Sequence, residues 1–371
     1  MVSTVLCKRD FSFIEVTRDR VVNVIVKNHC TAESGILLSS ATYDAANFDT
    51  TAQPTVMQLM HDSNYNNGSK SNKTGETTPS GTSCWMYDVL GNVYRTAGPG
   101  QTISYGYDSL KRLATASAPG AWSQAYSYDG FGNLTAKTGT LPQTVNTDPA
   151  TNQIANACYD KYGNVYSSGF TSCGGGSFAN LYTYDVANRI TNGTGPNLPG
   201  DRYLYNAQNK RIAIVQQSGQ EQLIFYGPGG QKMASINGVS GYVSEDAYLA
   251  GMLWILGLQA GNLVKVDRLG SVRGSYFGTV SPTTSYLPFG DEINPTANDR
   301  EKFATYTRDN TTQFDYADQR FYNWASAKFM SADPYKAGAG PEDPVSWNRY
   351  SYVKNDPANL TDPDGLNSQR W

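Results

Sequence analysis

The sequence predicts an all-β protein built from stacked hairpins, and three observations predict it. A Tyr-Asp step returns at near-regular intervals between Tyr87 and Tyr205, and self-similarity at a period of about 20 to 50 residues marks a repeat architecture. Glycine (36 residues) and tyrosine (26 residues) are abundant; aromatics suit a pleated surface and glycine supplies the positive φ of tight turns. Charged residues make up only 16% of the chain, which leaves few windows with the apolar stripe and charged outer face of a surface helix.

The chain opens with two strand-like runs, Phe11-Ser12-Phe13-Ile14-Glu15-Val16 and Val21-Val22-Asn23-Val24-Ile25-Val26, which show alternation or apolar density. From Asn64 to Ser83 the composition is dominated by Asn, Gly, Ser, Thr and Lys, which buries little and reads as a mobile loop or linker. Residues 1–84 therefore form a divergent N-terminal segment.

The repeats occupy residues 85–226. The Tyr-Asp steps are Tyr87-Asp88, Tyr107-Asp108, Tyr128-Asp129, Tyr159-Asp160 and Tyr184-Asp185, with Tyr205-Asn206 as a weaker sixth copy; their spacings are 20, 21, 31, 25 and 21 residues. Most continue into a turn and a branched residue, as in Gly91-Asn92-Val93, Gly132-Asn133-Leu134 and Asn188-Arg189-Ile190. The physical reading is one hairpin per repeat, the aspartate and the Gly-Asn or Asn-Arg pair making the turn. A lone hairpin is marginal in water, so each copy must lean on the next, and the tyrosines are expected to meet across adjacent strands. A propeller or another solenoid is the competing repetitive β fold.

Residues 227–371 form the last segment. Leu223–Gly227 and Tyr242–Leu249 read as further strands, Gly270 and Gly290 as tight turns, and the charged run Asp299–Asp318 as a short helix or a looped strand. The longest apolar stretch, Ala247–Leu258, falls short of the roughly 20 residues a membrane-spanning helix needs and reads as buried strand.

Composition excludes several functions. Lys and Arg number 29 against 32 Asp and Glu, a net charge of -3, which argues against a nucleic-acid-binding surface spread over the chain. The five cysteines, Cys7, Cys30, Cys84, Cys158 and Cys173, form no Cys-x-x-Cys pair and have only His29 and His61 for company, so no zinc site and no cofactor is expected. Cys158 and Cys173 could be bridged in an exported protein or remain two buried thiols. The first 26 residues are interrupted by Lys8, Arg9, Asp10, Glu15 and Arg18 and do not have the layout of a secretory signal. No Walker motif, His-Glu-x-x-His or zinc-deaminase cluster is present.

The chemistry-bearing stretch is Phe303–Leu366. Asp333 and Asp362 each precede a proline, which fixes its own φ and pushes the preceding residue into extended geometry. Two carboxylates so held can share one proton and hydrolyse a peptide with water, and Arg320 would bias which keeps its charge. The other reading is that Asp-Pro and Asp-Gly are turn dipeptides in which aspartate bonds its own backbone.

The order of pieces bears on that choice: Asp267-Arg268-Leu269-Gly270-Ser271-Val272-Arg273, Tyr286-Leu287-Pro288-Phe289-Gly290-Asp291-Glu292, Lys302-Phe303, Arg308-Asp309, Phe314-Asp315-Tyr316, Arg320-Phe321-Tyr322, Lys328-Phe329-Met330-Ser331-Ala332-Asp333-Pro334, Asn348-Arg349-Tyr350-Ser351-Tyr352, Asn355-Asp356-Pro357 and Asp362-Pro363-Asp364-Gly365-Leu366. This series resembles the Rhs repeat-associated core of bacterial polymorphic Rhs toxins and insecticidal toxin-complex C subunits. The Tyr-Asp repeats likewise resemble those of the Rhs family and of teneurins. The resemblance implies a curled repeat sheet around a hollow interior, a partial shell closed by the core, and an aspartic autoprotease that frees a C-terminal effector. Carried over, the catalytic residues are Asp333, Asp362 and Arg320, and the cleavage site is the bond from Leu366 to Asn367. Ser326-Ala327-Lys328-Phe329 and Ala332 depart from the family's Leu-Gly-Arg-Phe and Ser-Pro-Asp-Pro.

The resemblance also implies secretion or a cell-surface place within a larger system, with an effector or the remaining shell chain as partner. Six repeats enclose only part of a cavity, so a fragment, a remnant or one section of a split shell is expected, with self-association through exposed sheet edges. The alternative is a degenerate remnant, a structural or surface-interaction module without catalysis, since only five residues follow Leu366.

Overall fold

A computed structural model describes the chain from Cys7 to Arg370 apart from residues 18–19, 32–36, 40, 44–56, 62–71, 79–80, 89, 99–100, 169–172, 174–179, 196–197, 228–229, 231, 239–242, 250–251, 258–261, 276–285, 297, 335–346 and 367; before residue 85 and over Val243–Val266 it describes the strands' course alone. The described residues are all-β, in several mostly antiparallel sheets of which none closes on itself, with a 3-10 turn at Val353–Asn355. No described helix is long and apolar enough to cross a membrane. The chain forms two compact units, one comprising Met1–Tyr107, Thr115–Ser123 and Tyr248–Met252, the other Asp108–Ala114, Gln124–Ala247 and Leu253–Trp371.

In the first unit Cys7–Thr17 pairs antiparallel with Arg20–Thr31, matching the two strand-like runs. Of the polar stretch read as a linker, Asn72–Thr78 is a strand paired antiparallel with both Met57–His61 and Gly81–Tyr87, while its residues 64–71 and 79–80 lie outside the described residues. Main-chain ladder bonds satisfy themselves whatever the side chains, and threonine is a good strand former, so low apolar content did not prevent pairing. The stretch Ala247–Leu258 is divided between two strands, Val243–Leu249 and Met252–Gly257.

In the second unit, consecutive antiparallel strands run in sequence order from Ala157–Tyr159 through Val165–Ser168, Asn180–Tyr184, Ile190–Gly195, Leu198–Tyr205, Arg211–Val215 and Glu221–Tyr226 to Lys232–Asn237. Cys158 and Cys173 are joined by a disulfide with their Cα atoms 5.7 Å apart.

One five-residue turn builds every Tyr-Asp repeat. The aspartate N–H donates to the carbonyl of the fifth residue (Asp88 to Asn92, 2.8 Å), and the fourth N–H donates back to the aspartate carbonyl (Gly91 to Asp88, 3.0 Å). One carboxylate oxygen of Asp129 accepts the N–H groups of Phe131 and Asn133, and the other accepts the Asn133 side chain at 2.8 Å. Asp108 and Asp185 do the same with Arg112 and Arg189 in fifth place. The fourth residue always has positive φ, as in Gly132 (76°), Lys111 (62°) and Asn188 (61°), which is why glycine or asparagine usually stands there.

In four repeats the tyrosine joins one repeat to the one before it. Its hydroxyl donates to the carbonyl of the first strand residue after the preceding turn: Tyr107 to Val93 (2.6 Å), Tyr128 to Leu113 (2.7 Å), Tyr184 to Val165 (2.7 Å) and Tyr205 to Ile190 (2.6 Å). The Tyr159 hydroxyl instead accepts the Ile154 N–H at 2.9 Å. The fifth residue reaches forward: Arg112 donates to the Asp129 carbonyl at 3.0 Å and lies over the Tyr128 ring, and Arg189 donates to Asn209 Oδ1 at 2.7 Å and lies over the Tyr205 ring. The repeats are thus latched through hydroxyl-to-carbonyl bonds and cation–π contacts, where ring-on-ring pairing was the expectation.

The same turn, without the Tyr-Asp signature, recurs at Gln216–Gln220, Asp267–Ser271 and Leu287–Asp291. Beyond it a small sheet runs Arg300–Glu301, Thr307–Arg308, Asp315–Ala317, Arg320–Asn323, Lys328–Phe329, so the charged run is looped strand. This module packs Tyr316, Phe321 and Met330 onto Val165, Tyr182, Ile190, Leu198, Tyr203 and Ile214 of the repeat sheet. Behind them Phe303, Tyr306, Tyr322, Phe329 and Tyr352 form an aromatic cluster, its tightest pair Tyr322 and Tyr352 at 4.7 Å.

Buried polar contacts fix where the module sits. Lys137 donates to Asp291 at 2.7 Å and to the Trp324 carbonyl, and Arg211 pairs with Asp309 at 2.6 Å while Tyr203 donates to the same carboxylate. Lys328 Nζ donates to Asn133 Oδ1 (2.6 Å) and the Asn152 carbonyl (3.1 Å), and Asn348 also donates to Asn133. Desolvation cancels much of the Coulombic gain of such pairs, so their main effect is to penalise any other register.

Candidate functional site

Arg320 begins the strand Arg320–Asn323, directly after the turn that follows Asp315–Ala317. Residues 360–366 lie alongside that turn: Gln319 N–H donates to the Asp364 carbonyl at 3.1 Å, and Tyr306 donates its hydroxyl to the Asp362 carbonyl. Asp333 follows the short strand Lys328–Phe329, its N–H donating to the Arg349 carbonyl at 3.0 Å while Arg349 Nε donates to the Asp333 carbonyl at 2.7 Å. The two Asp-Pro steps are therefore anchored through their backbones, and their carboxylates remain aimed at Arg320.

Arg320 gathers the three segments. Its Nε donates to the Gly365 carbonyl and its Nη1 to the Arg349 carbonyl at 3.2 Å; its Nη2 lies 3.3 Å from Asp333 Oδ2 and 3.7 Å from Asp362 Oδ2. The guanidinium carbon sits 3.7 Å from the centre of the Phe329 ring. The structure thus brings together all three residues, with Asp333 and Asp362 29 positions apart in the chain, on one guanidinium nitrogen. The Arg320 side chain is 5% exposed and that of Asp362 4%, whereas Asp333 is 20% exposed and is the carboxylate that solvent can reach.

Burial lowers the Arg320 pKa from its ordinary value, and Asp333 and Asp362 oppose that shift by stabilising the cation. Burial raises Tyr306, with Tyr352 and Asp362 adding to the effect, so its hydroxyl stays neutral and remains a donor. Tyr352 is raised in the same way, by burial first and Asp362 second.

The Asp-Pro-Asp-Gly-Leu turn is itself specified locally. Gly365 N–H donates to the Asp362 carbonyl at 3.3 Å, Leu366 N–H donates to Asp364 Oδ1 at 3.0 Å, and Gly365 has φ of 72°. A Cβ there would stand 2.5 Å from the Ala317 carbonyl oxygen, so backbone conformation and packing both require glycine. Leu366 is held next to Arg320 through Gly365; Asn367, the far side of the expected cleavage site, lies outside the described residues. Sequence reasoning missed the anchoring parts played by Tyr306, Arg349 and Gly365. Only Gly365 carried a local signal, as the Asp-Gly of a turn. Among the described residues no cluster of His, Cys, Asp and Glu could hold a metal ion.

No family model matches the chain. Two curated proteins share it at low identity: the tRNA3(Ser)-specific nuclease WapA of Bacillus spizizenii (25% identical over 296 residues) and the tRNA nuclease WapA of Bacillus subtilis (27% over 285 residues), each alignment covering 70% of this chain. The chain spans only 12% of the length of either. Among solved structures it is similar to a chain of the TcdB2–TccC3 crystal structure (TM-score 0.63, 16% identity, 95% of this chain and 20% of that one). It is also similar to the Photorhabdus luminescens Tc holotoxin pore containing a TccC3 variant (TM-score 0.61, 16% identity, 93% and 19%). At that identity the likeness is one of fold, shared with part of a much longer toxin-complex chain.

Proposed function

We propose that the chain is a section of an Rhs-type toxin shell whose C-terminal core cuts its own backbone after Leu366. The observation that carries this reading is the meeting of Asp333 and Asp362 at one nitrogen of buried Arg320, which also holds the carbonyl of Gly365, one residue before the bond. Asp333, the more exposed carboxylate, takes a proton from water as its oxygen attacks the Leu366 carbonyl carbon. Asp362 gives a proton to the Asn367 nitrogen as the carbon–nitrogen bond breaks. Arg320 orients both carboxylates and steadies the negative charge. Because the bond lies four residues past Asp362, the chain delivers its own substrate at high effective concentration, and one slow turnover per molecule suffices.

The segment after Leu366 would belong to an effector, and a longer chain or a partner would complete the shell, in a system that works outside the producing cell. The similarity in fold to toxin-complex chains and the low-identity match to WapA support that setting. A second reading draws on the same contacts: Arg320, bonded to the Gly365 and Arg349 carbonyls, is a staple that docks residues 360–366, with no reaction following. Intact mass separates the two. Loss of the residues after Leu366 from the purified wild-type chain, abolished by Asp333→Asn, supports the protease; an intact chain under all conditions supports the staple.

A further inference from the structure

The second unit contains a cavity of about 420 Å³ that neither the shell nor the protease reading uses. Its lining draws Asn180 and Tyr182 from the repeat sheet and Phe314 and Asn323 from the core module. Among the described residues lining it, none carries a charge, and six are Asn or Gln. That volume lies within the range of small-ligand pockets.

The wall chemistry narrows the ligand. A charged ligand would leave water for a site with no counter-charge, which is unfavourable. A fully apolar ligand would strand the carboxamides. Asn180 Oδ1 is already buried with no hydrogen-bond partner among the described residues, and such an acceptor seeks a donor. Carboxamides present a donor and an acceptor side by side, the spacing of neighbouring hydroxyls on a sugar ring. Tyr182 and Phe314, with ring centres 5.5 Å apart and planes tilted by 46°, offer an aromatic wall on which the C–H face of a sugar packs. Burial raises the Tyr182 pKa, so its ring brings no charge to the wall.

We propose that this cavity binds a neutral saccharide of one or two rings. The site stands independently of the protease, since it involves neither carboxylate nor Arg320. Its test is saturation-transfer NMR and calorimetry on the full chain with glucose, galactose, N-acetylglucosamine, maltose and lactose, against inorganic phosphate and free lysine as charged controls. At least one neutral sugar is expected to bind with a Kd below about 10 mM, and the controls not to bind. Asn180→Leu, which keeps the size and removes both amide atoms, should weaken that sugar at least about tenfold with the melting temperature unchanged or raised. Gln143→Leu, at a second carboxamide lining the cavity, should weaken it as well. Failure of every neutral sugar, or binding that neither substitution alters, overturns the proposal; stronger binding by a charged control does the same.

Discussion

Lys328 gives a pH dependence that can be calculated from its surroundings. The residue is 2% exposed and its ammonium donates to Asn133 Oδ1 and the Asn152 carbonyl, two neutral acceptors, with the Asp129 carboxylate acting on it only through space. Burial pushes its pKa down to about 8, Asp129 opposing only in part. The unfolded chain keeps a lysine near about 10.4. Below pH 8 both states are protonated, and the folded state carries the full cost of a buried ammonium, about 3 kcal/mol from a shift of that size. Between the two values the unfolded state binds more protons, so this contribution becomes more favourable as pH rises. The change from pH 7.5 to 9.5 is about 2 kcal/mol. Lys328→Met removes the titration while Asn348 continues to bond Asn133. Urea unfolding of both proteins, followed by tryptophan fluorescence at the two pH values, should show the wild type gaining about 2 kcal/mol relative to the variant. An unchanged difference between the two proteins would refute the claim that Lys328 is buried against neutral partners.

Tyr205→Phe keeps the cation–π contact with Arg189 but loses the bond to the Ile190 carbonyl, and should cost about 1 kcal/mol by chemical denaturation. Asp129→Ala removes three hydrogen bonds from one repeat turn, costing about 2 to 3 kcal/mol, and hydrogen exchange should show the amides of Phe131 and Asn133 losing protection first. Gly365→Ala meets both a positive φ and the Ala317 carbonyl; it should destabilise by about 1 to 3 kcal/mol and expose the C-terminal segment to limited proteolysis.

The repeat region was legible because its determinants are local. An aspartate, a residue able to take positive φ and a fifth-position Asn or Arg all fall within five residues, so each Tyr-Asp turn announces itself. The turns at Gln216–Gln220 and Leu287–Asp291 have the same main-chain bonds but lack the carboxylate that makes the pattern visible. The tyrosine's role was half readable: its packing toward a neighbour followed from strand chemistry, whereas the carbonyl it bonds belongs to another repeat. Lys137 and Asp291 are 154 positions apart and Arg211 and Asp309 are 98 apart; nothing local marks such partners. Asp333, Asp362 and Arg320 came from the order of pieces in the core, and their convergence depends on Tyr306 and Arg349 holding backbone that no short window connects.

The central claim is that the carboxylates held by Arg320 cut the chain, and intact-mass spectrometry of wild type, Asp333→Asn and Asp362→Asn tests it most directly. An amide can neither take a proton from water in place of Asp333 nor give one to the leaving nitrogen in place of Asp362, and asparagine keeps the size of either aspartate. The account predicts a wild-type product ending at Leu366 and full-length chain from both variants. The same truncation in all three would assign the cut to an outside protease, and full-length wild type would leave Arg320 as a structural staple; either result contradicts the account.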